Sequence, residues 1–241
     1  MAVSTPASGD SNLPVPTFAR PQLDVVGRAE AFHVRRIYCV GRNYLEHIRE
    51  MGEADERSLP FFFQKPSDAV VPDGKVPYPP MTDDYQFEME LVVAIGRGGF
   101  NLDIDEALDV VFGYAVGLDM TRRDRQRESF RNGLPWEIGK SFDFSAPCGP
   151  IHPVEKVGHV LSGPLLLTLN GKPQQQSTLE KMIWSVPEIL VQLSKIYRLM
   201  PGDLIFTGTP EGVSAVVPKD LIVATIAGLA PLAVQIVPPE Q

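Results

Sequence analysis

Short apolar runs punctuated by Gly, Pro, Asn and Asp dominate the chain, and most have the length and spacing of β-strands. "RRIYCVG" reads as a strand ending at Gly41, "FFFQK" as a short strand ending at Lys65, and "VFGYAVGLD" as a strand running into Asp119. "PLLLTLNGKPQQQS" is a strand, an Asn-Gly turn and a second strand, the signature of a hairpin. "LIFTGTPEGV" and "DLIVATIAGLAPLAVQIV" add strands toward the C-terminus. Helical spacing is scarcer. "NYLEHIREMG" predicts a helix with Asn43 as N-cap, Glu46 three residues on and Gly52 past its last turn. A short helix is expected over Asp105–Val111 and a polar helix or turn in "TRRDRQRESFRNG". "TLEKMIWSVPEILVQLSKIYRLMPGD" predicts one helix or two, with Pro187 marking a start or a kink. Residues 1–21, rich in Pro and Ser, read as a loose arm before a single domain over 22–241, and the Pro-rich stretch after Lys65 reads as rigid and irregular. The expected fold class is mixed α+β, mainly β.

One strand breaks the usual chemistry. In "YQFEMELVV", residues 85–93, alternation puts Phe87, Met89, Leu91 and Val93 on one face and both Glu88 and Glu90 on the other. Acidic residues are poor strand formers, and like charges this close repel. Two readings are open. The strand is a sheet edge showing its charged face to water, or the two carboxylates share a divalent cation such as Mg²⁺, Mn²⁺ or Ca²⁺. The second reading needs a third acid ending another strand, and Asp119 is so placed.

Composition narrows the partners. A formal net charge of −8 in 241 residues argues against a nucleic-acid ligand, which wants a basic patch. No apolar run reaches the ~18 residues of a membrane span, and the first residues lack the basic and apolar regions of a signal peptide. Cys39 and Cys148 are too few for a disulfide framework and read as buried, reduced thiols of a cytoplasmic protein.

Other residues are ambiguous when taken singly. Lys140 in "EIGKSFD" is a surface lysine or a source of positive charge beside a metal-bound anion. Lys65 closes a strand of three phenylalanines, which is a poor place for a water-seeking ammonium unless its stem snorkels. His47 and Glu50 stand three apart on the predicted helix, as a solvated surface pair or as a carboxylate-oriented base on a lid. The turn in "PGDLIFTGTPEGV" offers N–H groups and hydroxyls to an anion, or is simply a turn.

In order along the chain, "VGRNYLEH", "FFFQKPSDAVV", "FEMELVVAIG", "GYAVGLDMTRRDRQ", "GLPWEIGKSFD", "LNGKPQQ" and "MPGDLIFTGTPEGV" resemble the motifs of the fumarylacetoacetate hydrolase family, in particular its acylpyruvate-type hydrolases. The resemblance implies a β-roll or sandwich of the family's own type, with short peripheral helices and a lid segment over about 43–59. It also implies a homodimer. Glu88, Glu90 and Asp119 match its ligands for Mg²⁺ or Mn²⁺, Lys140 its active-site lysine, and His47 with Glu50 its water-activating pair. Lys65, Arg123, Gln126 and Thr209 match positions that touch the oxo-acid end of the substrate. Relatives often carry His-His or His-Phe where this chain has Gln86-Phe87. The activity implied is hydrolysis of a carbon–carbon bond in a 2,4-dioxo acid, with 3-fumarylpyruvate of gentisate-type catabolism as the expected substrate. The same motifs recur in oxaloacetate decarboxylases and isomerases. Arg42 and Arg122 are candidates for the distal carboxylate of such a substrate.

Overall fold

The computed structural model describes residues 19–50 and 58–240. Eleven strands form its two main sheets. Six of them, β1 (Arg36–Gly41), β2 (Phe61–Lys65), β4 (Met89–Ile95), β5 (Val111–Leu118), β6 (His152–Pro153) and β9 (Asp203–Phe206), make a mixed sheet in the order β6-β5-β4-β9-β1-β2. The other five, β3 (Lys75–Pro77), β7 (Pro164–Leu169), β8 (Lys172–Thr178), β10 (Leu221–Ile226) and β11 (Leu232–Val237), form a second sheet in the order β8-β7-β10-β11-β3. Helices are few and short: α1 (Leu45–Glu50), α2 (Arg123–Arg131), α3 (Glu137–Lys140) and α4 (Val186–Ile196) are those used below. The fold is therefore mixed α+β and mostly strand, as the apolar pattern predicts.

The six-stranded sheet is buried on both faces. Met89, Leu91, Val93 and Ile95 join Leu165, Leu167, Ile222, Val234 and residues of α4 in one apolar core, which ties the two sheets together. Val92 and Ala94, pointing the other way, join Cys39, Ala115 and Phe206 in a second core closed by Leu23, Val25 and Phe32 from the N-terminal side. Every residue of β4 is buried, as is Glu88 just before it, so the edge-strand reading of the two acids is wrong: β4 lies mid-sheet, between β5 and β9.

Local expectations met the structure unevenly. Asn170 and Gly171 both take positive φ, as the hairpin turn requires. Pro187 starts α4, where the Glu188 carboxylate accepts hydrogen bonds from the Ser185 N–H and hydroxyl. The short helix before β5 is a 3-10 turn over Ala107–Val110. The Pro-rich stretch after Lys65 is more regular than expected, since it contains β3. Asn43 does not cap α1. Its amide donates to the Trp184 and Thr207 carbonyls and accepts from Trp184 N–H, while Ile48 N–H bonds to the Tyr44 carbonyl. A buried amide so fully engaged serves the tertiary fold rather than the helix end. Gly52 and residues 51–57 of the expected lid lie outside the described residues. Both cysteines are buried and free, and no described helix is long and apolar enough to cross a membrane.

Candidate metal centre and active site

The site grows from one antiparallel ladder. Met89 pairs with Leu118 and Glu90 with Gly117, and beyond the strand ends Gln86 pairs with Thr121 and Tyr85 with Arg122 in the same register. Asp119 N–H donates to the Glu88 carbonyl at 2.8 Å, which places these two acids across from each other. Directly opposed residues share a face. Glu88 and Asp119 therefore converge, Glu90 follows two residues along, and Gly117 opposite Glu90 leaves room. A Cβ at Gly117 would stand 2.5 Å from Val92 Cγ2 and 2.7 Å from the Phe206 ring.

The result is a buried triad in which one carboxylate oxygen each from Glu88, Glu90 and Asp119 lies within 4.8 Å of the others. Basic side chains surround it unevenly. Lys140 Nζ donates to Glu88 Oε2 at 2.7 Å, Asp119 Oδ2 at 2.8 Å and Thr121 Oγ1 at 2.7 Å. Arg123 donates to the other oxygen of Glu88, to Gln86 Oε1 at 2.8 Å and to Gln126 Oε1 at 2.6 Å. Glu90 takes its hydrogen bond from Gly208 N–H at 2.7 Å. Burial would raise the Glu88 carboxyl, but the Lys140 and Arg123 cations outweigh it and hold Glu88 below the ordinary carboxylate range. Glu90 goes the other way, pushed well above that range by burial and by Asp119 and Glu88 beside it. Lys140 is lowered by burial but raised more by Asp119 and Glu88, and stays charged.

These residues fit a hard divalent cation. Lys65 Nζ stands 2.8 Å from Asp119 Oδ1 as a charge pair, but it donates to the carbonyls of Met120 and Lys140, and among the described residues no hydrogen-bond donor is aimed at that buried Oδ1. An oxygen without a donor and a carboxyl that resists ionisation are what a dication would relieve.

One pocket opens over the triad. His47, Glu88, Glu90, Arg123, Gln126, Lys140, Thr209 and Arg42 line it, with Phe63 and Trp136 on its wall. Nearly all the residues singled out in the sequence thus meet at one place. His47 Nδ1 lies 3.2 Å from Glu50 Oε2, and Gly212 N–H donates to both oxygens of that carboxylate at 3.2 Å. The bond from His47 holds Glu50 below the ordinary carboxylate range; partial burial opposes this and the Gly212 N–H reinforces it. With Nδ1 turned to the carboxylate, Nε2 is the nitrogen left for chemistry. Arg42 takes φ 62°, uncommon outside glycine, at the turn after β1.

Four predicted residues are not in the pocket lining: Asp119 and Glu50 stand behind it as partners of the triad and of His47, and Lys65 and Arg122 lie elsewhere. Lys65 is buried beneath the triad and is not part of the pocket lining. Arg122 donates to the Ile138 carbonyl at 3.4 Å and lies 4.2 Å over the Phe142 ring, also off the pocket. Sequence reasoning missed Thr121, which receives Lys140; Trp136, hidden within a quoted motif; and Gln175, one of three consecutive glutamines with nothing to single it out. Gln86, visible only as a departure from relatives, anchors Arg123.

The profile described as "Fumarylacetoacetate (FAA) hydrolase C-terminal" matches residues 36–237, most of the chain. The chain belongs to the fumarylacetoacetate hydrolase family. Within that family it is 44% identical over 193 residues to a fumarylpyruvate hydrolase of Ralstonia sp, covering 79% of this chain and 100% of that protein. It is 42% identical over 207 residues to the mitochondrial oxaloacetate tautomerase of Homo sapiens, covering 86% of this chain and 93% of that one. The crystal structure of fumarylpyruvate hydrolase from Pseudomonas aeruginosa in complex with Mn²⁺ and pyruvate superposes with a TM-score of 0.92 at 48% identity, over 95% of this chain and 100% of the other. By this kinship the family member described here is an enzyme, a hydrolase of carbon–carbon bonds, and its cofactor is a divalent metal ion.

Proposed function

We propose that the protein cleaves the C3–C4 bond of 3-fumarylpyruvate with water, yielding fumarate and pyruvate. The observation that carries this reading is a carboxylate-oriented histidine facing the same pocket as a buried triad of acids. Charge arithmetic agrees. Once a bound dication lets Glu90 ionise, Glu88, Glu90 and Asp119 carry three negative charges against three positive ones on Lys65, Lys140 and Arg123. A dication held by the triad leaves an excess of two, which suits a dianion such as fumarylpyruvate. When bound, the cation supplies Lewis acidity to the oxo-acid end of the substrate.

The remaining work falls to side chains. His47 Nε2 takes a proton from the water that attacks C4, and Glu50 keeps the imidazole oriented and supports its positive charge; when the C3–C4 bond breaks, its electron pair passes into the enolate of pyruvate, and C3 regains a proton. Gln126, whose amide oxygen is committed to Arg123, offers its NH₂ group to the oxyanion forming at C4. Lys140 directs its hydrogens to Glu88, Asp119 and Thr121, so it contributes positive charge beneath the reacting atoms. Thr209 and Arg123 receive the oxo-acid carboxylate, and Arg42 the distal one. A cytoplasmic homodimer acting in gentisate-type catabolism is the setting this reading expects.

The similarity to an oxaloacetate tautomerase supports a second reading, in which the same pocket takes oxaloacetate. Loss of the dioxo-acid absorbance on adding enzyme and Mn²⁺, abolished by EDTA, is the expected result with fumarylpyruvate. His47→Ala should reduce that hydrolysis by about 10²–10⁴-fold while any oxaloacetate decarboxylation, which needs no activated water, persists. Turnover of oxaloacetate with none of fumarylpyruvate would replace the first reading by the second.

A further inference from the structure

Gln175 lies on the second sheet, in β8, and its side chain reaches across to the active site. It is fully buried. Its Oε1 accepts from Met89 N–H at 3.0 Å, at the residue between the two metal-ligand candidates Glu88 and Glu90. Its Nε2 donates to Thr209 Oγ1 at 2.8 Å and to the Pro210 carbonyl at 2.8 Å. The amide can sit only one way round, because a backbone N–H only donates and a carbonyl only accepts.

The backbone around it is shaped for this contact. The β7–β8 ladder pairs Leu167 with Gln175 and Thr168 with Pro173, so Gln174 is an extra, unpaired residue. Such a bulge re-aims the neighbouring side chain and recurs beside active sites. The bulged Gln174 carbonyl lies so close to Gly212, at φ 91°, that a Cβ there would stand 2.1 Å from it. Residues 208–212 are thereby pressed against β8. That short loop donates Gly208 N–H to Glu90, puts Thr209 in the pocket and donates Gly212 N–H to Glu50.

We propose that Gln175 is a positioning residue that clamps the 208–212 loop to the metal-ligand strand and fixes the Thr209 hydroxyl as a donor into the pocket. The last point follows from hydrogen-bond roles. Thr209 Oγ1 already accepts from Gln175, so its own hydrogen is the part left for a substrate oxygen. The inference rests on the reading of the pocket as an oxo-acid site.

The test pairs Gln175→Glu and Gln175→Met with Thr209→Val and Thr209→Ser, reading steady-state hydrolysis of fumarylpyruvate and, by calorimetry, binding of Mn²⁺ and then of pyruvate. A carboxylate at 175 would accept from Thr209 and withdraw its hydrogen from the pocket. Expected for Gln175→Glu and for Thr209→Val is a tenfold to hundredfold weaker pyruvate Kd, about the effect of losing a hydrogen bond to a charged group, with a matching rise in KM. Thr209→Ser should restore binding, and Gln175→Glu combined with Thr209→Val should be no worse than either alone. Unchanged pyruvate affinity in Thr209→Val, or additive losses in the double variant, would overturn the proposal. Thr209→Val buries no new charge and keeps the test open if the Gln175 variants fail to fold. Wild-type protein that binds pyruvate with Mn²⁺ yet leaves fumarylpyruvate intact would refute the substrate assignment and leave the clamp standing.

Discussion

Glu90 is the residue on which the site is least balanced. Its two acidic neighbours engage Lys140, whereas it takes its hydrogen bond from a backbone N–H, and burial together with those neighbours raises its carboxyl well above the ordinary range. A group whose folded-state value is raised stabilises the protein fully only below its ordinary value, and loses that contribution as pH climbs through the raised one. In EDTA, Glu90→Gln should therefore melt higher than wild type at pH 8, by about 2–4 °C for each kcal/mol relieved, and the gap should close as pH falls. Added Mn²⁺ should raise Tm for wild type and not for the variant. A calorimetric scan in which Glu90→Gln melts lower than wild type in EDTA would contradict this account. The acids were legible as an anomaly of one strand, and it took Asp119 and the ordered family motifs to favour a shared cation over a solvated sheet edge. Lys65 was legible as unusual, but its depth beneath Asp119 depends on tertiary packing that its neighbours in sequence do not encode. Gln175 left no trace, since its role is set by a bulge and by a loop more than thirty residues away.

At the scale of elements, the central β4–β5 ladder does most of the positioning. Its packing is tight where the ligands converge, because Gly117 admits Val92 and Phe206 against the backbone opposite Glu90. Gly117→Ala should cost about 1–3 kcal/mol by overpacking, read as a lower urea midpoint at unchanged m. An unchanged midpoint would mean that the neighbours yield freely. The hairpin, α4 and most strands were legible, since each carries its own period or turn chemistry, whereas β3 and β6 were not. The cap of α1 was misjudged because Asn43 satisfies the local rule for an N-cap but is drawn instead to Trp184 and Thr207. That is a tertiary bond overriding a local preference.

For the whole molecule, a net charge of −8 surrounds a pocket whose lining sets Arg42, Arg123 and Lys140 beside Glu88 and Glu90. Arg42 lines the pocket while Arg122 does not, and this separates the two candidates for the distal carboxylate. Arg42→Ala should raise KM for fumarylpyruvate about tenfold to a hundredfold, as expected for a lost charged hydrogen bond. KM for acetylpyruvate, which lacks that carboxylate, should barely move, and equal effects on both substrates would remove Arg42 from the role. The two-sided burial of the larger sheet was only half legible. Alternation in residues 85–93 announced one apolar core, but the second core depends on residues such as Leu23 and Phe32 that lie far away along the chain.

The common register that runs from Tyr85–Arg122 to Ala94–Gly113, across a gap in the ladder at residues 87–88, has a consequence for how such a protein tolerates change in length. The connection over residues 96–110 leaves from the opposite end of the ladder, where an irregularity between Ala94 and Ile95 is already absorbed. Insertions there can lengthen or shorten the excursion without displacing a single ligand. One residue added at position 87 would instead rotate Glu88 and Glu90 into the apolar layer shared with the second sheet, so the same family scaffold can be elaborated freely at one end and hardly at all at the other.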